Sequence, residues 1–378
     1  MNRTRVNTIK LEFHLIIKQH IYFIVQFMKN ATLLSMNIHR QLTISPFITE
    51  KSKFSIQKSH FLDFYQTFFI GSQISVHYTK FSNFLGTPLQ IEALIPFIIS
   101  RGFITESPLS TIPYKQEQLI ISGCCFCHCV CSDRIGGTIR CYTNKCKATI
   151  SDTSFHNCTS IFHSCGIIYF LGESLTIQRL FCLKASAMQV PFGRITCSHK
   201  FFLNFSTISF SNDIGAKSQS ESNILIEKGE QTVFYMNSSF NRIFGRGSAL
   251  TTEIPLSFRV GYSFFSNNIA LSTILYKKSS QSNILRSCIV MNNTAINGII
   301  SFSIGKWIIN KVSFIGNTGA PAEFVPKTFN DYKSDDPSIL FQNCNFDFAP
   351  QKLKYVTFTN LLLSDTKPEI ECYFTHVN

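Results

Sequence analysis

The chain has 378 residues, 44% of them hydrophobic and 15% charged, with a net charge of +13. That much apolar content with so little charge excludes a disordered chain. Phe is the outlier, at 38 residues against one Trp, and together with Ile, Ser, Thr and Asn it suits strands joined by polar turns.

Residues 1–45 read as an irregular tail or cap. Arg3, Arg5 and Lys10 precede an apolar stretch at 21–28. Lys18, Gln19 and His20 interrupt it and no small-residue cleavage site follows, so the start is not a clean leader. Met28 or Met36 is an alternative start. A second apolar stretch, 91–100, is shorter than the roughly 20 residues a bilayer span needs, so no membrane span is expected. Residues 46–73 are rich in Phe (Phe47, Phe54, Phe61, Phe64, Phe68, Phe69) and read as a first coil or an N-terminal cap. The basic residues are dispersed. Lys51 and Lys53, Lys277 and Lys278, and Lys352 and Lys354 are short, isolated groups. They imply a solvated basic surface, and no nucleic-acid partner is expected.

A repeat runs through the rest. Phe126-Cys127-His128-Cys129 is followed 29 residues on by Phe155-His156-Asn157-Cys158. At the same offset Gly137-Thr138-Ile139 matches Gly166-Ile167-Ile168. Phe210-Ser211-Asn212, Phe240-Asn241-Arg242 and Phe265-Ser266-Asn267 continue the first half. Val290-Met291-Asn292 and Ile315-Gly316-Asn317 carry a softened form. Units of about 25–30 residues without helical periodicity have room for two or three short strands, one coil of a solenoid. The expected fold is all-β, a right-handed parallel β-helix over 46–378. Phe126, Phe155, Phe210, Phe240 and Phe265 are expected as its core ladder. Asn157, Asn212 and Asn267 are placed at bends, where amides can bridge from coil to coil. Gly137 and Gly166 mark corners that need φ > 0 or close backbone approach. Two spans read as long loops: 101–118, with Pro108 and Pro113, and 321–337, with Asp331, Asp335 and Asp336.

Gly136-Gly137-Thr138-Ile139 and Phe265-Ser266-Asn267-Asn268 resemble the Gly-Gly-Ala-apolar and Phe-x-x-Asn elements of polymorphic-membrane-protein-like and pectin-lyase-like β-helix families. The chain is also similar to the Cys- and Phe-rich surface β-helix proteins of flagellate parasites. This resemblance, over roughly 74–360, implies a protein displayed at a cell surface or secreted, acting in adhesion, recognition or antigenic display. The partner it implies is a host or cell-surface protein or a glycan.

Cys124, Cys125, Cys127, Cys129, Cys131, Cys141 and Cys146 crowd one segment, with His128 among them. In an extended strand Cys125, Cys127, Cys129 and Cys131 share one face. Their single-residue gaps argue against zinc, whose ligand pairs are usually spaced by two residues or more. No metal or cofactor is expected. Cys129 and Cys158 fall at equivalent positions of successive coils and are expected to stack as small hydrophobes or to form a disulfide.

Catalysis finds little support. The acids number 22, and Asp133, Asp152, Asp213 and Glu253 read as isolated, whereas glycoside cleavage needs paired carboxylates. No phosphate-binding Gly loop occurs. Asn2, Asn30, Asn157, Asn204, Asn237 and Asn292 each head a glycosylation triplet, which matters only if the chain is secreted. A non-enzymatic surface or secreted protein is the leading expectation. The alternatives are a carbohydrate-active or carbohydrate-binding β-helix and a piece of a longer surface protein.

Overall fold

The computed structural model describes residues 118–131, 138–142, 144–160, 165–214, 222–244, 247–270, 273–278, 283–302, 306–324, 338–347, 356–360 and 362–363, and ten strands between residues 30 and 112. Among them there is no helix, and each strand pairs in parallel with the equivalent segment of the next turn. One turn takes roughly 27 residues. The fold is therefore an all-β parallel β-solenoid.

The winding starts earlier than the sequence suggests. Asn30–Leu34 pairs with Phe47–Gln57, and Asn37–His39 with His60–Phe64. Part of the expected irregular tail is thus already coiled. The expected loop at 101–118 also contains strands. Phe103–Thr105 pairs with Cys125–Cys127, and Leu109–Ile112 with Ile139–Tyr142. Pro108 and Pro113 lie outside the described residues. Of the expected loop 321–337, residues 321–324 belong to the strand Thr318–Phe324, and the remainder lies outside the described residues.

Each turn has three main faces. Face A contains 147–151, 174–178, 200–204, 230–234 and 257–261. Face B contains 125–127, 153–156, 180–183, 206–209, 236–239 and 264–266. Face C contains 139–142, 168–172, 193–197 and 224–227. A short ladder, such as Thr159–Ser160 with Ser186–Ala187, follows face B.

The corners explain how alternating strands keep a common inside. In Lys147–His156, Ala148 and Ile150 are buried, and then Thr153 and Phe155. Period-2 alternation slips by one residue at Asp152, whose φ is +50°. A single left-handed residue turns the chain and lets both half-strands point inward. The same device recurs one turn later at each position: Arg179, Phe205, Tyr235 and Tyr262 between faces A and B. After face B the corner is His128, Asn157, Lys184, Phe210, Phe240, Asn267 and Asn292. Left-handed backbone disfavours most side chains by about 1–2 kcal/mol and suits Asn best after Gly.

This register sorts the expected ladder. Phe126 pairs with Phe155, their rings stacked at 4.9 Å, and both are fully buried. The same inward position then passes through Cys182, Ile208 and Ser238 to Phe265. Phe210 and Phe240 are not part of this core. They sit two residues further on, at the left-handed corner, 49% and 50% exposed, and stack on each other outside the solenoid at 5.0 Å. The motif match Phe-Ser-Asn between 210–212 and 265–267 is therefore out of register by two. Ile208 and Ser238 take the core place instead.

The asparagines shift likewise. Asn157 and Asn267 do lie at bends, with φ of +51° each. Asn212 lies past the corner, exposed, in the strand Asn212–Asp213. The amide ladder is built by other residues, Asn241, Asn268, Asn293 and Asn317. Each of the first three donates its Nδ2 to the next Oδ1, at 2.9, 3.0 and 3.0 Å. Each of those oxygens also accepts the main-chain N–H of the preceding asparagine, at 3.1, 3.0 and 3.0 Å. The second Nδ2 hydrogen reaches a carbonyl of an adjoining coil, as Asn268 does to Ser238 at 2.9 Å. The ladder is buried through Asn293, so each amide replaces water it has lost.

Gly137 lies outside the described residues. Gly166 is buried, and a Cβ there would come within 2.0 Å of the Pro191 carbonyl oxygen. Close backbone approach is its reason.

Candidate functional site

Two edges of face B carry exposed aromatic stacks. On the edge shared with face A, Phe205 stacks on Tyr235 at 4.6 Å, and Tyr235 on Tyr262 at 5.2 Å. Arg286 closes that stack. Its guanidinium lies 5.5 Å from the Tyr262 ring centre and its Nη2 donates to the phenol oxygen at 2.7 Å. On the opposite edge lies the Phe210–Phe240 pair. Between them run Thr207, Asn237 and Phe264, half-buried, and Ser209 and Ser239, whose hydroxyls bond at 2.8 Å. Residues 205–210, 235–240 and 262–267 hold no charged side chain, in a chain of net charge +13. One turn upstream the edge becomes ionic: Arg179 meets Asp152 through two bonds of 2.5 and 2.8 Å. That guanidinium holds the Asp152 carboxyl below the ordinary carboxylate range.

The stacked rings turn their faces along the solenoid axis and their edges outward. A sugar stacks on an open ring face, and here interior faces are taken by neighbouring rings. The strip suits edge and hydroxyl contacts to a flat partner better than sugar stacking.

The cysteines do not share one face. Cys125 and Cys127 point outward on either side of buried Phe126, half-buried themselves. His128, with φ of +53°, flips the alternation and sends Cys129 inside. The side chain of Cys131 lies outside the described residues. Cys129 and Cys158 are both fully buried on adjacent rungs as free thiols, stacked and without a disulfide, and a hydrogen bond from Cys129 pulls the Cys158 pKa down against the effect of burial. They occupy the rung position that Asn241 and its successors fill later. Cys158 Sγ is 3.6 Å from the Phe126 carbonyl oxygen, the same type of contact that Asn268 makes to Ser238. Elsewhere burial pushes the thiols of Cys197 and Cys288 up to about 12. Among the described residues no group of three or more His, Cys, Asp or Glu is placed to hold a metal ion. No described helix is long and apolar enough to cross a membrane.

One arrangement escaped sequence reading. Glu227 and Glu253 stand opposite each other on adjacent rungs of face C. Glu227 Oε2 accepts from Thr196 Oγ1 at 2.6 Å, and its Oε1 lies 3.5 Å from Arg194 Nη2. Glu227 falls where no repeat motif survives, and the next pairing on this face, Gly247–Glu253 with Thr273–Lys278, contains a register shift. Counting by motif therefore leaves Glu253 looking isolated. The other acid considered, Asp213, is buried and accepts the Phe244 N–H at 2.7 Å, a structural role. Asp133 lies outside the described residues.

Comparison of the chain with family models, with curated proteins and with solved structures finds no match.

Proposed function

We propose that the chain is a non-enzymatic right-handed β-helix of the surface-protein kind its repeats resemble, and that face B is a recognition surface for another protein outside the cell. Right-handed winding follows the strong preference of parallel crossover connections. The observation that carries the role is the uncharged strip made by 205–210, 235–240 and 262–267, edged by exposed aromatic stacks. Tyr, Phe, Ser and Asn at such density are the residues of protein recognition surfaces, where rigid rings give contact area at low entropy loss. Exposed apolar patches of this kind mark contact sites more often than chance. Phe210 and Phe240 also occupy left-handed positions that Asn fills with less strain in other turns. Their mutual stack offsets that strain without a net gain over Asn.

The test is binding of the purified full chain to intact cells, with Phe210→Asn/Phe240→Asn beside the parent, and surface biotinylation of cells that express the chain. The expected results are surface labelling and loss of binding by the double variant with its fold intact. Confinement to the cytosol, or equal binding by the variant, overturns the reading. A glycan found on Asn237 would cover the strip and also count against it.

The paired Glu227 and Glu253 favour a second reading, a carbohydrate-active β-helix. Neighbouring carboxylates are what a retaining glycosidase uses. Against it, Glu227 is already engaged by Arg194 and Thr196. Release of reducing ends from polysaccharides, abolished by Glu253→Gln, would establish this reading in place of the first.

A further inference from the structure

We infer that Cys125 and Cys127 form a redox-exchanging dithiol that reacts with small disulfides of the glutathione type. The two sulfurs lie 3.2 Å apart on the outward side of face B. They are half-buried, unlike Cys124, Cys129 and Cys158, which are buried. The hydrogen bond from Cys127 lowers the Cys125 pKa to about 7, outweighing partial burial, and Ser154 on the next rung adds to it. That bond favours Cys125 as the attacking thiol and leaves Cys127 as the resolving one. His156, opposite Cys127, contributes no charge there, because burial and nearby His128 lower its pKa.

The reaction balances as a two-electron exchange. The Cys125 thiolate attacks one sulfur of the small disulfide, forming a mixed disulfide and releasing one thiolate. Cys127, losing its proton, attacks the Cys125 sulfur and releases the second. The leaving thiolates take up two protons, so dithiol plus disulfide gives the Cys125–Cys127 bond plus two small thiols.

Strand geometry makes this bond labile. Alternate residues of a strand have Cα atoms about 6.6 Å apart, near the far end of the roughly 4.4–6.8 Å that a disulfide spans. The oxidised pair is strained and easily reduced. Cys129 and Cys158, on adjacent rungs about 4.8 Å apart, fit that window without distortion. Both are free thiols in the structure, and a bond formed there would be the less reducible of the two. The Cys125–Cys127 pair is independent of the recognition role of the aromatic strip.

The test poises the reduced full chain in glutathione buffers of graded ratio, quenches with acid, alkylates, and maps the linkages by mass spectrometry. The expected result is a Cys125–Cys127 bond that reverses at glutathione ratios where any Cys129–Cys158 bond persists. Cys127→Ser, which lacks the resolving thiol, should stop at the mixed disulfide and hold glutathione on Cys125, where the parent chain goes on to release it. Absence of the bond at every ratio, or a bond no more reducible than Cys129–Cys158, overturns the proposal. So does trapping at Cys127 in Cys125→Ser that equals trapping at Cys125.

Discussion

Asn268 and Asn293 are joined twice: the Oδ1 of Asn293 accepts both the Nδ2 and the main-chain N–H of Asn268, each at 3.0 Å. The amide is buried and its remaining hydrogen is taken by the Ser238 carbonyl. Replacing Asn268 by Ala removes that contact and takes from Asn241 the acceptor of two of its bonds, leaving a buried amide and a buried N–H without it. Orphaned buried groups cost about 1–3 kcal/mol each. We expect Asn268→Ala to lower stability by about 3 kcal/mol in urea titration. Asn267→Gly, one residue away at the left-handed corner, should change it by less than about 1 kcal/mol. Similar losses for both would refute the assignment of the ladder.

Phe155 and Phe240 provide a second contrast. Phe155→Ala opens a cavity beneath Phe126 and should cost about 3–5 kcal/mol. Phe240→Asn gives up a surface stack of about 0.5–1.5 kcal/mol but relieves left-handed strain of about 1–2 kcal/mol. Its net effect on the denaturation midpoint should be close to zero. A large loss for Phe240→Asn would return that residue to the core.

Gly166 lies just before face C and Gly193 opens its next rung, and the two should differ. An added Cβ at Gly166 meets a main-chain oxygen at 2.0 Å, whereas at Gly193 the nearest atom is 3.3 Å away. Gly166→Ala should destabilise by about 2 kcal/mol or more. Gly193→Ala should be tolerated far better. The comparison needs only two melting curves.

Alkaline pH should weaken the fold. Cys197 and Cys288 have folded pKa values raised by burial to about 12, against about 9 for an exposed thiol. Between those values the unfolded chain has lost protons that the folded chain still holds. The slope of stability against pH is then negative. The contribution is complete below about pH 9 and lost as pH rises toward 12. Denaturant midpoints measured across that window should fall, and Cys197→Ala with Cys288→Ala should flatten the decline.

Much of the fold was legible in the sequence, because stacking imposes a repeat. The matches Phe126 to Phe155 and Ile139 to Ile168 are the pairs found side by side. They were readable since every turn meets the same neighbours and so keeps the same residue types. The repeat could not decide which side a residue faces once a corner intervened. Phe210 and Phe265 sit in the same tripeptide pattern, yet one is a corner and the other is core. A single left-handed residue shifts the inside–outside phase by one, and no composition signal announces it when that residue is Phe, Arg or Tyr. The cysteines show the same division. Their density was visible from the start, but only the corner at His128 separates outward Cys125 and Cys127 from inward Cys129. The pairing of Glu227 with Glu253 likewise exists only in the wound chain, where irregular turn lengths bring together residues that counting keeps apart. Sequence determined that this chain coils, through its Phe, Asn and Gly spacing. Tertiary structure decided which residues the coil shows to solvent, because that depends on the sum of every corner before them.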